Sequence, residues 1–174
     1  VYLGDYVDRG PASAGVIERL LADPLRDFES IYLKGNHEDL LLQFLTNMSV
    51  ASVWFPNGGS DTLESYGVAA RSYVYEPAEL KILQENFHQN LPSRHRDFFE
   101  GLSLSHVEGD YAFVHAGICP GVPFSQQQPQ DLMWIRDEFL YSDEDYGYVV
   151  VHGHTPSEYP EFHRNRINID TGAF

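Results

Sequence analysis

Four short segments carry side chains able to bind cations or phosphate and to move protons. The first is Gly4-Asp5-Tyr6-Val7-Asp8-Arg9-Gly10. Asp5, where an apolar strand runs into a loop, is a hard oxygen ligand whose two oxygens can bridge two cations, and the flanking glycines let the backbone turn tightly beside an ion. Arg9 offers a planar fork matched to phosphate oxygens. By itself this segment reads first as a surface turn held by an Asp–Arg pair. The second segment is Gly35-Asn36-His37-Glu38. Asn36 suits both helix capping and neutral oxygen ligation, and the two uses are compatible. His37 can give or take a proton near neutral pH, while Glu38 is expected to favour the helix dipole. The third and fourth segments are His115-Ala116-Gly117 and His152-Gly153-His154-Thr155. Imidazole mixed with carboxylate and amide oxygens argues for a manganese, iron or zinc type of cation over calcium. His152 lies two residues before His154 and is read as structural.

Apolar elements must deliver these residues. Val1-Tyr2-Leu3 and Ser30-Ile31-Tyr32-Leu33 read as strands. After the first comes a helix with Pro11 in its first turn, an apolar face of Val16, Ile17, Leu20 and Leu21, and an end at Asp23-Pro24. A second helix carries Leu40, Leu41, Phe44 and Leu45. Strand, helix, strand, helix predicts an α/β class with a parallel sheet. From Met48 to Glu100 the pattern predicts short helices, with Trp54, Phe55, Leu63 and Tyr66 as packing residues and Leu80, Leu83 and Phe87 at helical spacing. Two alternating runs around Glu108-Gly109-Asp110 predict a hairpin. A loop with Pro120, Pro123 and Pro129 follows, then strands over 148–151 and 166–169. Asp5, Asn36, His115 and His154 each follow an apolar strand. In open α/β sheets, sites form outside the carboxyl ends of the strands.

The chain has 174 residues and reads as a single domain over 1–174. Its 11 basic and 26 acidic groups leave a net charge of -15, which disfavours nucleic-acid and anionic-membrane partners because both are bound through Lys and Arg. The single cysteine, Cys119, excludes an internal disulfide and fits a reducing, cytoplasmic setting. No glycine-rich phosphate loop or nucleophile-elbow serine occurs.

In order, the blocks Gly-Asp-x-Val-Asp-Arg-Gly, Gly-Asn-His-Glu, His-Ala-Gly and Gly-His-Thr resemble the phosphoprotein-phosphatase branch of the metallophosphoesterase superfamily, closest to its bacterial serine/threonine phosphatases. The resemblance runs from Gly4 to His154. It implies a β-sandwich flanked by helices and a site for two divalent ions. It makes Asp5 the bridging ligand and Asn36, His115 and His154 the rest of one ion's shell. It makes His37 the general acid oriented by Asp8, and Arg9 the phosphate grip. Arg136, in Trp134-Ile135-Arg136-Asp137, is similar to a second phosphate-binding arginine. The implied reaction is hydrolysis of phosphomonoesters, phosphoserine or phosphothreonine in proteins or a small phosphoester, by a metal-activated water. The alternatives are symmetrical dinucleoside tetraphosphate hydrolysis, or an inactive metal- or phosphate-binding fragment. The family's opening Gly-Asp-x-His-Gly block, which gives the second ion an Asp and a His, would lie before Val1. The chain is therefore expected to be a fragment incomplete at both ends, holding fewer than two ions.

Overall fold

The structure is a computed structural model that describes residues 1–22, 25, 27–70 and 75–172. The expected helix end at Asp23-Pro24 lies outside the described residues. The chain forms two compact units, one of residues 5–29 and 37–101, the other of 1–4, 30–36 and 102–174. The chain passes between them at the Gly4–Asp5 and Asn36–His37 peptide bonds, among others. No helix among the described residues is long and apolar enough to cross a membrane.

The first unit is helical. It contains α1 (Ser13–Leu21), α2 (Asn36–Phe44) from His37 onward, α3 (Ala51–Trp54), α4 (Gly59–Ser65), α5 (Pro77–Asn90) and α6 (Ser93–Glu100). Pro77 suits the first turn of α5, where no N–H partner is needed, and the Glu76 N–H ahead of it donates to the Glu79 carboxylate at 2.8 Å. The core is aromatic. Phe44 sits 5.1 Å from Trp54 and 5.5 Å from Phe55 between ring centroids, and Phe87 is 6.0 Å from Trp54 and 5.6 Å from Tyr66. Each fully buried side chain of this size contributes about 1.5–3 kcal/mol. Trp54, Phe55, Leu63 and Tyr66 are all buried, as the pattern predicted. The apolar face assigned to α1 is narrower than expected: Ile17 is buried, but Val16 and Leu21 are exposed.

The second unit is built on a five-stranded sheet of β1 (Ser105–Glu108), β2 (Tyr111–Val114), β3 (Val149–His152), β4 (Glu161–Phe162) and β5 (Arg166–Asn168), in the order β1-β2-β3-β5-β4. The sheet is mixed where a parallel one was expected. β2, β3 and β5 run parallel, but the predicted hairpin puts β1 antiparallel to β2, with Glu108 opposite Tyr111, and β4 is antiparallel to β5. Tight connections force antiparallel pairing, while parallel neighbours need long crossovers. The crossover from β2 to β3 carries α7 (Pro129–Trp134) and α8 (Asp137–Leu140). Ile118, Leu132 and Phe139 of this crossover form one buried cluster with Val114 and Val150 of the sheet. The expected strands at Tyr2 and Tyr32 shrink to single parallel bridges, Tyr2 with Tyr32 and Leu33 with Ser103. The α/β class is borne out; the described strands form this one sheet.

The proline-rich loop is pinned by one side chain. Gln127 accepts from the Cys119 N–H at 2.7 Å and donates to the Cys119 and Val122 carbonyls, both at 2.9 Å.

Candidate active site

In the sheet unit, register brings the histidines together. β2 and β3 are parallel with Phe113 opposite Val151. Two residues beyond each lie His115 and Gly153, and the Gly153 N–H donates to the His115 carbonyl at 2.8 Å. His154 follows at once. Its Nδ1 stands 3.0 Å from Asn36 Oδ1 and 3.2 Å from His115 Nε2, and His115 Nε2 is 3.0 Å from the same Asn36 oxygen. All three residues are buried.

The tautomer of His115 follows from its other nitrogen. Nδ1 lies 2.7 Å from the Leu3 carbonyl, which can only accept, so Nδ1 carries the proton and Nε2 presents a lone pair. That lone pair faces the Asn36 carbonyl oxygen, a second acceptor. Acceptors held this close in a buried site repel unless a cation, or a proton on His154 Nδ1, lies among them. A carbonyl-anchored imidazole, a second imidazole and an amide oxygen make a donor set for a transition-type divalent cation. These residues fit a metal.

The surrounding backbone is built for close approach. Gly4 has φ +97°, and a Cβ there would lie 2.5 Å from Gly35 N and 3.0 Å from His115 Nδ1. Only glycine lets the Leu3–Gly4 turn press against Gly35. Gly117 is excluded from carrying a side chain by Phe139, which occupies the space. His152 is fully buried at the end of β3, its ring edge-on to Phe139 at 5.0 Å. Burial pushes its pKa down to about 4, so it is neutral and serves packing, as expected. Arg136 is exposed and donates from Nη1 to the Thr155 hydroxyl at 3.0 Å, which ties it to the segment carrying His154.

In the helical unit, Asp8 and His37 form a buried pair, with His37 Nδ1 2.6 Å from Asp8 Oδ2. Trp54 Nε1–H donates to the same oxygen at 2.9 Å, and the Thr62 hydroxyl to Asp8 Oδ1 at 2.6 Å. Burial pushes the Asp8 carboxyl above the usual carboxylate range, against the opposing donors His37, Thr62 and Trp54. For His37, burial disfavours the imidazolium. The hydrogen bond to Asp8 and the carboxylates of Asp5 and Asp8 outweigh it and raise its pKa. Both directions belong to a pair that keeps one proton between its members.

Asp5 opens this unit and is exposed, with its Oδ2 3.9 Å from His37 Nε2. Glu38, fully buried, does what the sequence did not announce: its carboxylate accepts from the Asp5 N–H at 2.9 Å and the Tyr6 N–H at 2.6 Å. It holds the loop that carries Asp5. Arg9 is exposed, and its backbone lies so close to Gly58 (φ +101°) that no Cβ fits there. Among the described residues the non-glycine positions with positive φ are Asp5, Asp8, Arg9 and His154. Every one is a site candidate read from the sequence, and backbone strain of this kind gathers where surroundings over-determine a functional geometry.

The structure thus brings Asn36, His115 and His154 together in one unit, and Asp5, Asp8 and His37 in the other. Trp54 was read only as packing, and Ser13, Thr62, Glu38 and Gly58 were not assigned to the site. The one available signal was Trp54 followed by Asn57-Gly58-Gly59, since paired glycines mark close backbone approach.

A sequence profile described as Calcineurin-like phosphoesterase matches residues 1–171. Among curated proteins, the chain is similar to the asymmetrical bis(5'-nucleosyl)-tetraphosphatase PrpE of Bacillus mycoides, 26% identical over 99% of this chain and 70% of the relative. It is likewise similar to the proteins of that name from Bacillus cereus and Anoxybacillus flavithermus. Each of these is 27% identical over 99% of this chain, covering 70% and 69% of the relative.

Proposed function

The chain belongs to the calcineurin-like phosphoesterase family, whose members are metal-dependent hydrolases, and from that premise we propose that it cleaves phosphomonoesters of the phosphoserine or phosphothreonine kind. The observation that carries this reading is the enclosed His37–Asp8 pair at 2.6 Å. An alkoxide is a strongly basic leaving group and departs only when protonated, so its cleavage needs a positioned acid. A nucleotide leaving from a phosphoanhydride is a far weaker base and needs that proton much less. A carboxylate–imidazole pair built with this many partners is best used on the harder leaving group.

In this reading Asn36, His115 and His154 hold a divalent ion, and Asp5 keeps the ligand role that its sequence position suggests. When bound, such ions lower the pKa of water towards neutrality and stabilise charge on the phosphoryl group. Arg9 and Arg136 neutralise phosphoryl oxygens with their planar forks. His37 delivers its proton to the departing oxygen, and Asp8 holds the imidazole in the orientation that does so.

A second reading is dinucleoside tetraphosphate hydrolysis, favoured by the name of the relatives, which is the asymmetrical activity. The two separate on leaving-group dependence. With manganese supplied, a phosphoserine peptide, p-nitrophenyl phosphate and a dinucleoside tetraphosphate are assayed with the parent and with His37→Ala. The first reading expects turnover of the peptide and a loss of about 10²–10⁴-fold on it in the variant, with a much smaller loss on the nitrophenyl ester. No peptide turnover beside brisk cleavage of the tetraphosphate would hand the site to the second reading.

A further inference from the structure

We infer that Thr62 is a positioning residue for proton delivery: its hydroxyl sets both the backbone and the carboxylate of Asp8, and through Asp8 the aim of His37. This rests on the reading of His37 and Asp8 as the acid pair. The donor accounting at Thr62 closes. Asp8 Oδ1, 2.6 Å away, can only accept, so it takes the single Thr62 proton. The two lone pairs left on Thr62 Oγ1 then accept the Asp8 N–H at 2.9 Å and the Ser13 hydroxyl at 3.0 Å. Ser13 is therefore the donor in that contact, and its own oxygen takes a weaker share of the Asp8 N–H at 3.2 Å. Thr62 and Ser13 are both buried, so water does not replace these bonds.

The consequence is mechanical. Asp8 sits at φ +76°, a conformation that a non-glycine residue keeps only when held. Thr62 grips its N–H and one carboxylate oxygen at the same time. With Oδ1 fixed, Oδ2 is turned to meet Trp54 Nε1 and His37 Nδ1 at 2.9 Å and 2.6 Å. Thr62 reaches across 54 positions of sequence to do this, and α4 carries it on a rigid helical turn. Helix α4 has other polar ties that do not touch Asp8: Ser65 Oγ donates to the Thr62 carbonyl at 2.7 Å and accepts from the Ala14 N–H at 3.2 Å.

Removing the hydroxyl without changing shape, as in Thr62→Val, separates positioning from packing. The expected result on the phosphoserine peptide is a fall in kcat of roughly 10–100-fold, the order that misplacing a reacting group costs, with KM unchanged and a smaller fall on p-nitrophenyl phosphate. Thr62→Ser restores the parent behaviour. A second readout needs no turnover: the Trp54 indole N–H signal in a ¹⁵N–¹H NMR spectrum moves in Thr62→Val and in Asp8→Asn, but stays put in Ser65→Ala, which removes the ties to the Thr62 carbonyl and the Ala14 N–H but no bond to Asp8. Should Thr62→Val not fold, Thr62→Cys carries the same tests, since a thiol is a weak donor of similar shape to serine. An unchanged ratio of rates on the two esters in Thr62→Val, or a silent Trp54 signal, overturns the inference. If Asp8→Asn itself leaves the ester ratio untouched, it is the acid-pair reading that fails.

Discussion

Glu38 joins the second motif block to the first. Its carboxylate takes two backbone N–H groups, those of Asp5 and Tyr6, at 2.9 and 2.6 Å, and it is fully buried. Charge-assisted bonds of this kind contribute about 1.5–3 kcal/mol each. Glu38→Gln keeps the shape but removes the charge and aims an amide N–H₂ at one of two N–H donors. We expect a loss of about 1–3 kcal/mol in stability, read from the urea midpoint. Asp5 is held at φ +60° in the same loop, so its local geometry should loosen as well. An unchanged midpoint would mean that the loop holds its own shape. His115 carries the same lesson in its unit: the Leu3 carbonyl at 2.7 Å dictates which ring nitrogen is available for a ligand.

At the scale of elements, strands end where chemistry begins. β2 stops at Val114, one residue before His115, and β3 at His152, two before His154. Parallel register then sets those ends side by side. The turn at Leu3–Gly4 meets the turn at Gly35 with no space for a side chain, and Gly4 has φ +97°. Gly4→Ala combines a left-handed backbone cost of about 1–2 kcal/mol with overpacking of about 1–3 kcal/mol. A drop of about 2–5 kcal/mol in unfolding free energy is expected, far beyond the effect of Gly15→Ala, where nothing lies within 4 Å of the added Cβ. Equal effects at both positions would refute the close approach. The sequence periodicity found the helices of the first unit through Leu41, Phe44, Leu83 and Phe87, all buried. It overstated Tyr2 and Tyr32 as strands, because a strand needs a partner over several residues and these find only single bridges.

Across the molecule, the charge of -15 makes acid sensitivity informative. In the helical unit, Tyr66 Oη meets His95 Nδ1 at 2.8 Å, and His95 Nε2 meets Glu18 at 2.8 Å, with Arg94 on the same carboxylate. The hydrogen bond from His95, with Arg94 adding its charge, holds the Glu18 carboxyl below its ordinary value of 4.5. A depressed folded pKa gives stability that is present above the unfolded value and is lost as pH falls through the folded one. The parent should therefore lose stability as pH drops below 4.5, and Glu18→Gln should lose less over the same interval. Melting temperatures across that range measure it, and parallel slopes would remove Glu18 from the account. This chain ties α1 to α6 across 77 positions.

The residue types and their order were readable without coordinates. Two acids and an arginine in one loop, an Asn-His pair and two strand-end histidines already specify oxygen and imidazole ligands beside a proton carrier. Residues two apart share a face in a regular strand, so what separates His152 from His154 is the end of β3 at His152 and the left-handed His154, at φ +66°. Partner choice was not readable. Glu38 reaches back 33 positions to Asp5, and Thr62 reaches 54 to Asp8. Periodicity reports only which face of an element is apolar, so it is blind to such pairings. The antiparallel edges of the sheet, the tautomer of His115 and the full enclosure of Asp8 were set by tertiary packing, because each depends on atoms from segments far apart in the chain.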